Sequence, residues 1–112
     1  MTFKEISQMI EGFGYPYAYY QFPDGTGQAP PFICFWYDYR DFYSDDANYK
    51  KRVVLNIEFY TDEKDIEAEE GIEGSIPFSY SKSSTYIDTE KMWETTYTME
   101  ILIDNTTTEV IS

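Results

Sequence analysis

Apolar residues near the N-terminus recur at offsets of three and four, so Phe3, Ile6, Met9 and Ile10 fall on one side of a helix. Thr2 precedes them and Glu5 follows three residues later, the pairing of a capping box, and Gly12 and Gly14 supply a stop. The period then drops to two. Residues 15–22, YPYAYYQF, predict a strand with Tyr17, Tyr19 and Gln21 on one face. Residues 23–31 are loop chemistry, because glycine admits positive φ and proline cannot continue a ladder. Residues 31–43, PFICFWYDYRDFY, predict a second strand, and 44–51 a turn. Residues 52–62 alternate most cleanly, with Val53, Leu55, Ile57 and Phe59 on one side and Asn56, Glu58 and Tyr60 on the other. The run TDEKDIEAEEGIEG from Thr61 offers caps at Thr61 or Asp62 and acids in a first turn. It predicts a short surface helix ending at Gly71 or Gly74. A polar strand or extended edge follows over 75–88, with Pro77 suited to an edge. Over 91–104, Trp93, Tyr97, Met99, Ile101 and Ile103 share one face, and Glu94, Thr96, Thr98 and Glu100 the other. Residues 105–112 read as a frayed tail or as an arm that docks on a neighbour.

The resulting order, α-β-β-β-α-β-β, predicts one α+β domain spanning 1–112. Its sheet is mostly antiparallel, of four to five strands, with the N-terminal helix and the short second helix packed on it. The strand at 31–43 breaks the usual rule that one face of an antiparallel sheet is polar. Phe32, Cys34, Trp36 and Asp38 lie on one side; Ile33, Phe35, Tyr37, Tyr39 and, past a polar break, Tyr43 lie on the other. One helix can cover one face, and the second helix is too short and charged to cover another. The expectation is therefore an uncovered aromatic face of Tyr37, Tyr39 and Tyr43, with Tyr17 and Tyr19 beside it, available to a partner.

Composition sharpens this. Aromatic residues make up 20% of the chain, 12 of them tyrosine, which favours surfaces apolar on one side and wet on the other. Eight basic residues against 21 acidic give a net charge of −13, which disfavours phosphate backbones and anionic membranes as partners. The single cysteine, Cys34, excludes an internal disulfide and reads as a small core residue. The first residues lack the continuous apolar run of a signal peptide, so synthesis in a reducing cytoplasm is expected.

Catalytic chemistry is sparse. The chain has no histidine, which removes the usual base of serine and cysteine triads and the usual zinc ligand. No phosphate-cradling glycine motif occurs. A calcium loop counted from Asp62 fails, since Glu67 stands where the turn glycine belongs. The expectation is a protein that is not an enzyme and holds no cofactor or metal.

Three segments resemble a known family: PPFICFWYDYRDFYSDDANYKK, RVVLNIEFYTDEKDIEAEE and YIDTEKMWETTYTMEI. In order and spacing they are similar to the small tail terminator or tail-completion proteins of long-tailed phages and prophages of Gram-positive bacteria. The acidic segment DIEAEEGIEGSIP is shorter than the family's helix. The resemblance implies a structural virion protein at the head–tail junction, assembling as a ring of six copies. Its partners would be itself, the major tail protein and a head–tail connector, with no sequence-specific nucleic acid and no membrane. On that reading Tyr17, Tyr19, Tyr37, Tyr39 and Tyr43 are candidate interface residues, and Asp62, Asp65 and Glu67 line an acidic helix facing a tube lumen. Two alternatives remain open at this stage: an acidic DNA-mimic inhibitor, and a generic interaction domain.

Overall fold

In the computed structural model the described residues are 1–22, 28–42 and 50–104, with 39–42, 50–51 and 104 described by backbone alone. The elements run α1 (Phe3–Glu11), β1 (Tyr17–Tyr19), β2 (Phe32–Phe42), β3 (Lys50–Thr61), α2 (Ile66–Glu73), β4 (Ser81–Ile87) and β5 (Met92–Asp104). This is an α+β fold with a five-stranded sheet in the order β1-β2-β3-β5-β4. The β1–β2 pair is parallel; the β2–β3, β3–β5 and β5–β4 pairs are antiparallel. The tail at 105–112, Tyr43 and most of the predicted loop at 23–31 and turn at 44–51 lie outside the described residues.

α1 forms where its stripe and cap require it. The Thr2 hydroxyl accepts from the Glu5 amide at 3.1 Å while the Glu5 carboxylate accepts from the Thr2 amide at 2.8 Å. Both satisfy donors that a helix start leaves open. Gly12 caps the far end, and Gly14 follows at φ 90°, a conformation that glycine adopts without strain. Phe3, Ile6 and Ile10 are buried against the sheet.

α2 starts later than the sequence suggests. Thr61 still belongs to β3, and the helix begins only at Ile66, too far along for Asp62 to cap it. Asp65 is the cap, accepting from the Ala68 amide at 3.0 Å. Gly74 closes the helix, the later of the two predicted stops. β1 is also shorter than its pattern, because Tyr20 turns to φ 69° and ends it. β4 takes only the second half of its predicted stretch and lies at the sheet edge.

Both helices sit on the same side of the sheet. The core there joins Phe3, Ile6 and Ile10 of α1 and Ile72 and Ile76 of the α2 region to odd-numbered positions of β2, β3 and β5. Phe35 and Tyr37 therefore lie inside the core, at 3% and 6% exposure, with Phe3 edge-on to Tyr37 at 4.9 Å. This corrects the expectation of an uncovered face at Tyr37; the Tyr39 side chain and Tyr43 lie outside what is described, and Tyr17 and Tyr19 are exposed. The covered side of β2 is the one carrying Tyr37, and the side without a helix among the described residues carries Phe32, Cys34 and Trp36.

Candidate functional site on the open face of the sheet

Register fixes the open face row by row. Phe32 of β2 stands beside Tyr60 of β3, then Glu94 of β5, then Thr85 of β4. The next row holds Cys34, Glu58, Thr96 and Ser83; the next, Trp36, Asn56, Thr98 and Ser81. Long side chains pack flat across these rows. Phe32 stacks on Tyr60 with ring centroids 4.7 Å apart, and Phe22 meets Phe32 edge-on at 5.5 Å. In the next row Cys34 is buried, as its reading as a small core residue expects, on the face away from the helices.

The polar groups on this face converge on two carboxylates. The Trp36 indole N–H donates to Glu58 Oε2 at 3.2 Å. The Tyr60 hydroxyl lies 2.7 Å from Glu94 Oε2 and 3.0 Å from Glu58 Oε1. A phenol has one proton, so it donates to one carboxylate at a time while its oxygen faces the other. No lysine or arginine among the described residues forms an ion pair with Glu58 or Glu94. The field is correspondingly negative. Burial, then the charges of Glu58 and Glu94, push the Cys34 thiol up to about 11. Burial and the bond to Glu94 also push the Tyr60 phenol above its ordinary value.

The helix-covered face holds a second acid–aromatic cluster, built between α2 and the β5–β4 edge. Glu69, 1% exposed, receives Lys64 at 2.8 Å and Lys82 at 2.9 Å. Lys82 also reaches Glu73 at 2.6 Å, and Glu73 accepts from the Tyr97 hydroxyl at 2.8 Å. The ammonium of Lys64 lies 5.5 Å from the Trp93 ring centre and that of Lys82 5.9 Å from the Tyr97 ring centre. Burial raises the Glu69 carboxyl, and the hydrogen bonds from Lys64 and Lys82 more than offset it, leaving it below the usual range. The Lys82 bond lowers Glu73 likewise, and its two carboxylate partners push Lys82 up to about 12.

The residues singled out from sequence are divided by this geometry. Tyr17 and Tyr19 are exposed at the β1 edge; Tyr19 lies 5.6 Å from Tyr37, and Tyr17 lies 6.4 Å from Phe35. The Tyr19 hydroxyl accepts from the Tyr37 amide at 3.3 Å, occupying an edge donor beyond the end of β1. Tyr39 is in β2 with its side chain undescribed, and Tyr43 lies outside the described residues. Asp62, Asp65 and Glu67 are exposed; Asp65 is occupied as a helix cap, and with Glu67 it borders a groove of about 370 Å3 between α2 and the end of α1. Sequence reading did not pick out the Phe32, Trp36, Glu58, Tyr60 and Glu94 set. Alternation had placed Glu58 with Tyr60 and kept Glu94 opposite the core, but the register that joins them was not in the pattern.

No family model matches the chain, and no curated protein matches it.

Proposed function

We propose that this protein is a structural assembly subunit, a tail terminator or tail-completion factor of a phage or prophage, acting through contacts with its own copies and with neighbouring tail components. The observation that carries the reading is the open sheet face. Among the described residues both helices pack on one side, and the other side presents Phe32, Trp36 and Tyr60 half-buried and Leu102 49% exposed, a surface suited to docking.

The two edges of the sheet suit head-to-tail contacts between copies. Tyr17, Tyr19 and Tyr20 are exposed at the β1 edge, and Tyr86 and the nearby Tyr80 at the β4 edge. A ring closes through two different complementary patches on each subunit, and opposite edges of one sheet supply such a pair. The DNA-mimic reading gains nothing from the geometry. Glu69 and Glu73 are neutralised by the chain's own lysines, and the acids of the open face lie among rings rather than along a phosphate-like track.

Sedimentation velocity over a wide concentration range tests the reading, first with the protein alone and then mixed with a candidate major tail protein. A closed oligomer, or a complex on mixing, is expected. A strict monomer in both experiments would sink it.

A further inference from the structure

The two acid–aromatic clusters are built from the same parts but completed differently. On the helix-covered face, two glutamates and a tyrosine hydroxyl are joined by lysines that also lie over aromatic rings. On the open face, Glu58 and Glu94 share one tyrosine hydroxyl beside Phe32 and Trp36, and no described lysine or arginine pairs with either. The covered cluster thus shows, in the same molecule, what completes such a set: a cation between the carboxylates, against a ring.

We propose that the Glu58–Tyr60–Glu94 cluster seats a cationic side chain, an arginine carried on a basic surface of a different protein. Guanidinium fits best because it is planar, stacks on ring faces and bonds two carboxylate oxygens at once. A second copy of this chain is a poor source. It has 8 basic residues against 21 acidic, and Lys64 and Lys82 are already engaged with Glu69. Bringing another −13 onto an acidic face is repulsive, whereas a basic partner gains from the same field. The inference rests on the assembly reading only for the existence of a partner protein. It divides the labour: tyrosine edges for self-contact, open face for the basic neighbour.

The test is a titration of the 15N-labelled full chain with methylguanidinium, following the two indole N–H signals. Trp36 reports the open face, and Trp93, already under Lys64, is the internal control. A saturable shift at Trp36, several-fold larger than at Trp93, is expected. Glu58→Gln with Glu94→Gln is expected to weaken that binding at least tenfold, while Asp62→Asn with Glu67→Gln, the same charge change elsewhere, leaves it within twofold. Equal shifts at both indoles, or equal losses in both double variants, would mean general attraction to an acidic surface and overturn the proposal. So would loss of self-association in Glu58→Gln with Glu94→Gln, which would make a second copy the occupant. Because the titration reads the site in the isolated chain and sedimentation reads assembly, failure of either reading is visible without the other.

Discussion

Glu69 is the residue where burial and charge oppose each other most directly. Its carboxylate is enclosed, and the two lysine side chains that reach it are each about a third exposed, at 32% and 34%. Removing the acid leaves lysines that water can still reach, so the loss is below that of a fully buried pair. Glu69→Gln is expected to lower stability by about 1–3 kcal/mol at neutral pH, read as a shift in urea midpoint. The pH dependence has a definite sign. Glu69 and Glu73 are held below their ordinary values. Their contribution is therefore present above the unfolded glutamate pKa of about 4.3 and is lost as pH falls through the lower folded values. Lys82 is raised to about 12. Its contribution is present below the unfolded lysine value of about 10.4 and disappears as pH rises through the folded one. The difference between wild type and Glu69→Gln is thus expected to be flat across neutral pH and to shrink at both ends; a difference that grows on acidification would contradict the network. Tyr20 poses a second residue-scale question. It is 64% exposed and holds φ 69°, where a side chain is strained. Tyr20→Gly removes that strain and is expected to leave stability unchanged or raise it by about 1 kcal/mol in thermal unfolding.

Elements were more legible than their arrangement. α1 could be read to its caps because Thr2, Glu5 and Gly12 act on neighbours within four residues. Thr2→Ala is accordingly expected to cost about 1 kcal/mol in urea unfolding. Asp65→Ala is expected to cost about as much, by the same removal of an acceptor for a first-turn amide. The alternating strands were equally plain, since period two reports which residues share a face. What period two cannot report is which face a helix will cover. β2 is aromatic on both sides, so its pattern left the choice to the rest of the chain. The choice was made by α1, whose Phe3, Ile6 and Ile10 need a dry partner, and by α2, whose Ile72 and Glu69 both point inward. A helix with one buried isoleucine and one buried acid looked like a surface helix in sequence. It packs on the core because Lys64 and Lys82 reach it from β3–α2 and β4, contacts that no local pattern contains. The open-face cluster was hidden for the same reason: Glu58 and Glu94 are 36 positions apart in number and meet only through the β3–β5 register.

At the scale of the whole molecule, the sheet separates three surfaces that an assembly would use for different purposes. The β1 edge with Tyr20 and the β4 edge with Tyr86 lie at opposite ends of the strand order, and the open face lies between them. If copies meet edge to edge, edge and face substitutions must act on different equilibria. Tyr20→Gly and Tyr86→Ser alter exposed side chains at 64% and 43% exposure and are expected to dissociate the self-assembled form in sedimentation, with the far-UV spectrum unchanged. Leu102→Glu, on the open face at 49% exposure, is expected to leave self-assembly intact and to weaken binding of the proposed basic partner, with stability within about 0.5 kcal/mol of wild type. Electrostatics gives the second half of that pattern its salt signature. Contacts of a −13 chain with a basic neighbour weaken steeply as ionic strength rises. Contacts between tyrosine-bearing edges of two acidic copies hold or strengthen, because salt screens the repulsion between them. Opposite salt dependence of the two associations would fit one surface for self and another for a partner. Parallel weakening of both by salt would place the same acidic face in both contacts and remove the division.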